Sequence, residues 1–196
     1  MPTIQAFLSV CSGVIFIVAF YPYIRAILRK ETSPRKATWL VWSLGDIVIL
    51  TGMIVKGTVS GLMVAAVAGA TTVFILSLMF GEPGWKMRDK VCVSLSLMAI
   101  GLWLYFGDSN IGIGLSLTAL AIAVWPTYVS AWEKPENEDK KTWILFNLAN
   151  VFAVLAIPHW TFADASSPFT FMAIDVPMLF LLFIRPNLRK RKAEVV

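Results

Sequence analysis

Apolar runs of about 17–25 residues, parted only by short connections rich in charge, Gly or Pro, decide what this chain can fold into. Seven can be read, at residues 4–28, 37–56, 58–80, 90–107, 110–132, 141–158 and 167–185. As a helix, each crosses ~30 Å of hydrocarbon while satisfying its own backbone hydrogen bonds, which lipid demands. Only 15% of the 196 residues are charged and 58% are hydrophobic. That leaves too little charge to cover a soluble domain of this length. The expectation is an all-α integral membrane protein with seven transmembrane helices and neither a soluble domain nor a disordered linker.

Charge sets the orientation. The formal net charge of +5 sits in short clusters between the runs rather than along one face, so a nucleic-acid partner is not expected. On one side fall Arg25, Arg29, Lys30, Arg35, Lys36, Lys86, Arg88, Lys90, Lys134, Lys140, Lys141, Arg185, Arg189, Lys190, Arg191 and Lys192. Lys56 is alone on the other side. The positive-inside rule then places the N-terminus outside and the C-terminus in the cytoplasm. The basic tail serves that topology, and anionic lipid is a second use open to it. Met1-Pro2-Thr3 enters the first run without a basic segment, so no cleavable signal is expected. Cys11 and Cys92 fall in opposite halves of the bilayer, which disfavours a disulfide.

Two stretches repeat at an offset of 104 residues without a gap: Ala19-Phe20-Tyr21-Pro22 to Lys36-Ala37-Thr38-Trp39, and Ala123-Val124-Trp125-Pro126 to Lys140-Lys141-Thr142-Trp143. In each, a proline closes one run and a Thr-Trp pair sixteen residues later opens the next. The offset maps runs one to three onto five to seven and leaves run four unpaired. Three helices and one connecting helix put both copies in the same orientation, so the plan is two parallel triple-helix bundles, residues 1–83 and 108–196, joined by a linker helix at 84–107.

Acids in mid-membrane are costly, by ~3 kcal/mol or more, and persist where something compensates. Asp46 lies near the centre of run two and Asp175 near that of run seven, with no Lys, Arg or His at matching depth. Each is therefore expected either to carry a proton or to sit in a solvated cavity. Trp39, Ser43 and Asp46 share one helix face, and the repeat makes Trp143, Asn147 and Asn150 their counterparts. Thr71 pairs with Asp175 at the same offset. These groups have two possible uses: lining a central cavity for a small polar solute, or hydrogen bonding between helices as glue. Trp39 and Trp143 also suit an interfacial belt, with Tyr21, Tyr23, Trp85, Trp125, Tyr128 and Trp132. Pro22 and Pro126 each remove a backbone donor and serve either as hinges or as static kinks. With Asp46 opposite Asn150, one half holds a titratable group where the other holds an amide, which permits proton coupling through Asp46 or Asp175. Gly61 and Gly69, or Gly112 and Gly114, allow close helix approach within the chain or in a homo-oligomer.

Templates for soluble enzymes are missing. The sequence has no phosphate-binding loop, no Cys or His cluster, and one histidine, His159. No catalytic residue, metal or cofactor is expected.

Seven helices, an outside N-terminus, a triple-helix repeat about a linker, and Pro22 and Pro126 near the cytoplasmic ends of helices one and five resemble the SWEET and PQ-loop superfamily. The resemblance covers the whole chain in architecture and is specific in sequence only at Pro22 to Trp39 and Pro126 to Trp143. It implies a carrier of a small polar solute (sugar, amino acid or vitamin precursor) working by alternating access. It also admits a receptor that binds without transporting, as the KDEL receptor does on this fold, or a membrane scaffold. The chain's length and compactness look like those of a prokaryotic branch, which implies the cytoplasmic membrane. Two departures stand against sugar. The Pro-Gln dipeptide is replaced by Pro22-Tyr23 and Pro126-Thr127, and Thr71 and Asp175 stand where sugar carriers place pocket asparagines.

Overall fold

The computed structural model describes residues 2–31, 33–34, 36–81, 87–133, 135 and 138–186. Arg35, Trp85, Lys86, Lys134 and the basic tail from Arg189 to Lys192 lie outside the described residues, as do the side chains of Arg88, Cys92 and Pro126. The described chain is helical without strands: α1 (Pro2–Leu28), α2 (Lys36–Val55), α3 (Gly61–Phe80), α4 (Met87–Phe106), α5 (Ser109–Ala123), α6 (Trp125–Glu133), α7 (Lys140–Leu155) and α8 (Phe162–Leu179). A π-helical turn, Phe180–Ile184, continues α8.

Among the described residues, five helical segments are long and apolar enough to cross a membrane: Ile4–Leu28, Lys36–Val55, Gly61–Phe80, Ser109–Glu133 and Phe162–Ile184. Their outer faces are what lipid requires. On α1, Val10, Val14, Ile17 and Tyr21 form an exposed stripe at helical spacing, an apolar surface that water would not tolerate. α7 is shorter, at 16 residues, and α4 opens with Arg88, Asp89 and Lys90.

Local chemistry explains where the helices start and stop. Ser60, Asp108, Asp139 and Thr161 cap α3, α5, α7 and α8 by accepting a backbone N–H of the first turn. After α2 the chain turns through Gly57 at φ +75°, with Thr58 N–H donating back to the Met53 carbonyl at 2.9 Å. This is a left-handed stop that glycine adopts without strain.

Two boundaries differ from the sequence expectation. The last helix was expected from residue 167, with Pro168 in the preceding break. It starts at Phe162, because Thr161 Oγ1 both donates to the Asp164 carboxylate at 2.9 Å and accepts its N–H at 3.3 Å, and Pro168 lies inside the helix. The fifth run is not continuous. It breaks at Val124 between α5 and α6, where Pro126 has no N–H to give to the Ile122 carbonyl. Its counterpart Pro22 lies within an unbroken α1.

Packing repeats across the chain. α1 and α2 both lie on α3, and α5 and α7 both lie on α8. Between these groups α1 packs on α7 and α2 on α5, with lesser contacts of α3 on α7 and α8 on α2. Exchanging α1 with α5, α2 with α7 and α3 with α8 returns the same set of neighbours. α4 has no counterpart and packs on α5 and α2. Antiparallel α1 and α7 are tied by Ser12 Oγ donating to the Ala149 carbonyl at 2.7 Å and Thr142 Oγ1 to the Ala19 carbonyl at 3.4 Å. The glycines are used within the chain. A Cβ at Gly61 would run into the Ser9 carbonyl oxygen, one at Gly69 into the Phe20 ring, and one at Gly112 would stand 2.9 Å from Trp103.

Candidate functional site

Helical spacing brings aromatic and acidic side chains to one point between the two groups of helices. Phe16 and Phe20 are one turn apart on α1, as are Trp42 and Asp46 on α2, Trp143 and Phe146 on α7, and Phe171 and Asp175 on α8. All eight line a cavity of about 40 Å³, closed further by Ala66, Leu120 and Ile174. The rings interlock around Phe146, whose centroid lies 4.7 Å from that of Phe16, 5.4 Å from Phe20 and 6.0 Å from Trp143. Asp46 and Asp175 are both buried.

The two acids are held differently. Asp175 Oδ2 accepts a 2.6 Å hydrogen bond from Asn150 Nδ2, linking α7 to α8. The repeat would pair Asp46 with Thr71 in the same way. Thr71 instead bonds Ser43, one turn away, at 2.8 Å, and Asp46 Oδ1 has no hydrogen-bond partner. Trp42 Nε1, Asn147 Nδ2 and Asn150 Oδ1 are likewise buried without one. In an apolar interior each such group costs about 1–3 kcal/mol, and the two on cavity-lining side chains, Asp46 Oδ1 and Trp42 Nε1, suit a polar guest.

Of the residues the sequence singled out, Asp46, Asp175 and Trp143 line the cavity. Asn150 is bonded to one of them, and Ser43 and Thr71 face each other without lining it. Asn147 does not line it, and its amide Nδ2 is buried without a hydrogen-bond partner. Trp39 is displaced from the expected wall. It is half-buried and packs edge-on or tilted against Phe20, Tyr23 and Trp42 at centroid distances of 6.1, 5.3 and 5.7 Å. Trp42 takes its place. Sequence reasoning also missed Phe16, Phe20, Phe146 and Phe171. Trp42 was findable, being one turn before Asp46, but an aromatic pair in an all-apolar helix carries no phase signal.

Trp143 has a second attachment, Nε1 donating to Glu138 Oε2 at 3.2 Å in the loop before α7. Burial pushes the Glu138 carboxyl up, and the indole bond works in the lowering direction. Near the same end Arg185 donates to the Trp132 carbonyl and lies over its ring, 3.7 Å from the centroid.

A larger hollow of about 710 Å³ opens where α1 and α3 begin. Its polar groups are already engaged: Gln5 with the Ile157 carbonyl, Ser9 with Gly61 N–H, Ser12 with the Ala149 carbonyl, and Asp164 with Thr161. It therefore offers little for recognition. Among the described residues no three His, Cys, Asp or Glu side chains converge as a metal site.

No protein-family model, curated protein or solved structure matches the chain.

Proposed function

We propose that this chain is a seven-span carrier of a small polar solute in the cytoplasmic membrane, N-terminus outside, that works by alternating access. Residues 1–83 and 108–196 are the two moving bundles and 84–107 the linker. The observation that carries this reading is the cavity itself. Both halves contribute to it, each supplies one acid, and unpaired polar atoms remain around it. A packing scaffold has no reason to keep Asp46 Oδ1 and Trp42 Nε1 unpaired.

The packing exchange described above supports a rocking motion, since a pseudo-two-fold relates the two halves. At about 40 Å³ the cavity is far below the ~300–1,000 Å³ of ordinary ligand pockets, so this is a closed state and loading needs the bundles to part. Pro22 and the Val124 break before Pro126 stand at matching places where bending is cheapest. Trp143, held by Glu138, walls the cavity toward the cytoplasm.

The test is counterflow exchange in proteoliposomes across sugars, amino acids and vitamin precursors, with and without a pH gradient. Exchange of one class is expected. Folded protein that exchanges none would favour the receptor or scaffold reading.

A further inference from the structure

We propose that the solute is a small organic ammonium ion lacking a carboxylate, held between Asp46 and Asp175 inside the aromatic cage. The inference rests on the carrier reading and narrows it. Among the described residues that line the cavity, two carboxyls are the only charged groups and six aromatic rings make most of the wall. With no Lys, Arg or His there, an anion would meet repulsion and a zwitterion would find nothing for its carboxylate. A sugar needs many alternating donors and acceptors, and this lining offers two carboxyls and an indole N–H. An alkylammonium ion fits all of it. Its charge meets the acids, and its carbons meet ring faces as cation–π contacts.

Charge balance then defines the transport step. One monovalent cation neutralises one carboxyl and leaves a proton on the other. The empty cavity is neutral with a proton on each. Loading therefore releases one proton, and a cycle exchanges one solute cation for one proton. Among the described residues, Tyr128 of α6 is a further titratable group beside the pair, its hydroxyl donating to the Ile174 carbonyl next to Asp175 at 2.6 Å. α1, α3, α5 and α7 line the cavity with no titratable side chain, and α4, packed on α2, does not line it among the described residues.

The experiment uses the purified full-length protein and reads thermal stability. The probes are tetramethylammonium, choline, glycine betaine and 3,3-dimethyl-1-butanol (the uncharged isostere of choline), against sodium chloride at equal ionic strength. Tetramethylammonium and choline are expected to raise the midpoint, and the isostere and betaine are not. Asp46→Asn and Asp175→Asn should each weaken the response about tenfold or more. Asp108→Asn, which alters an acid outside the cavity, should not. Equal shifts from the uncharged isostere or from betaine overturn the proposal, and so does the absence of any cation-specific shift in folded protein. The wild-type comparison stands even where a variant does not fold. Counterflow separates the two readings. Cation binding without flux sinks the carrier and keeps this site, whereas flux of sugars or amino acids without cation binding does the reverse.

Discussion

Asp46 and Asp175 share one cavity, yet only Asp175 is tethered by an amide, and the two should answer mutation differently. Asn150→Ala strips the donor from Asp175 and is expected to cost about 1–2 kcal/mol, read as a lowered thermal midpoint in detergent. Asp46→Asn alters a carboxyl that no amide tethers and should leave the midpoint almost unchanged. It should weaken solute binding and pH-driven flux together, and pH dependence that survives it unchanged would exclude Asp46 as the coupling group. Glu138 supplies a separate handle outside the membrane spans. Burial lifts its carboxyl above the ordinary 4.5, so the folded state holds that proton more tightly than the unfolded chain does. Its contribution to stability is full below pH 4.5 and is lost as pH rises through the elevated folded value. Glu138→Gln should flatten that slope in a pH series of melting curves, and an unchanged slope would show that other groups produce it. At this scale polar chemistry was legible in the sequence: both acids stood out because carboxyls are rare inside apolar runs. The aromatic cage was not, since rings in such runs look alike until neighbouring helices fix which face turns inward.

Helix placement followed from apolar length, and the two surprises both involve proline. Pro168 looks like punctuation, but the Thr161–Asp164 cap starts α8 ahead of it. Pro126 does break its run at Val124, whereas Pro22 leaves α1 continuous. Propensity alone does not separate those cases, because neighbouring helices decide whether a freed carbonyl is tolerated. Glycines bring α1 and α3 close together, and Gly69→Ala tests that crossing. The new Cβ would push on Phe20, a cavity residue, so a loss of about 1–3 kcal/mol together with altered flux is expected. Gly101→Ala on α4 meets nothing within 4 Å and should be neutral or slightly stabilising. Equal effects of the two in parallel melts would mean the crossing is looser than described.

At the scale of the whole molecule, the repeat was readable because its matched residues, from Pro22 to Trp39 and from Pro126 to Trp143, run from one apolar stretch across a charged connection into the next, where sequence is more distinctive than inside the apolar runs. Which helix lies on which was not readable, nor was the closure of the cavity, because both depend on side chains of distant segments meeting. The contact between Lys56 and Asp108, 3.8 Å apart, joins the end of α2 to the start of α5. That is the same membrane face in the proposed topology, opposite the basic connections. Rocking of the two halves should expose the cavity to each face in turn. The most direct measurement places one thiol there, Ala66→Cys in a chain with Cys11→Ser and Cys92→Ser, since Ala66 is buried and lines the cavity. Membrane-impermeant thiol reagent is then applied from the outside and, in inverted vesicles, from the cytoplasmic side. Alternating access requires slow modification from both faces. Modification from one face only, or from neither in folded protein, would contradict it.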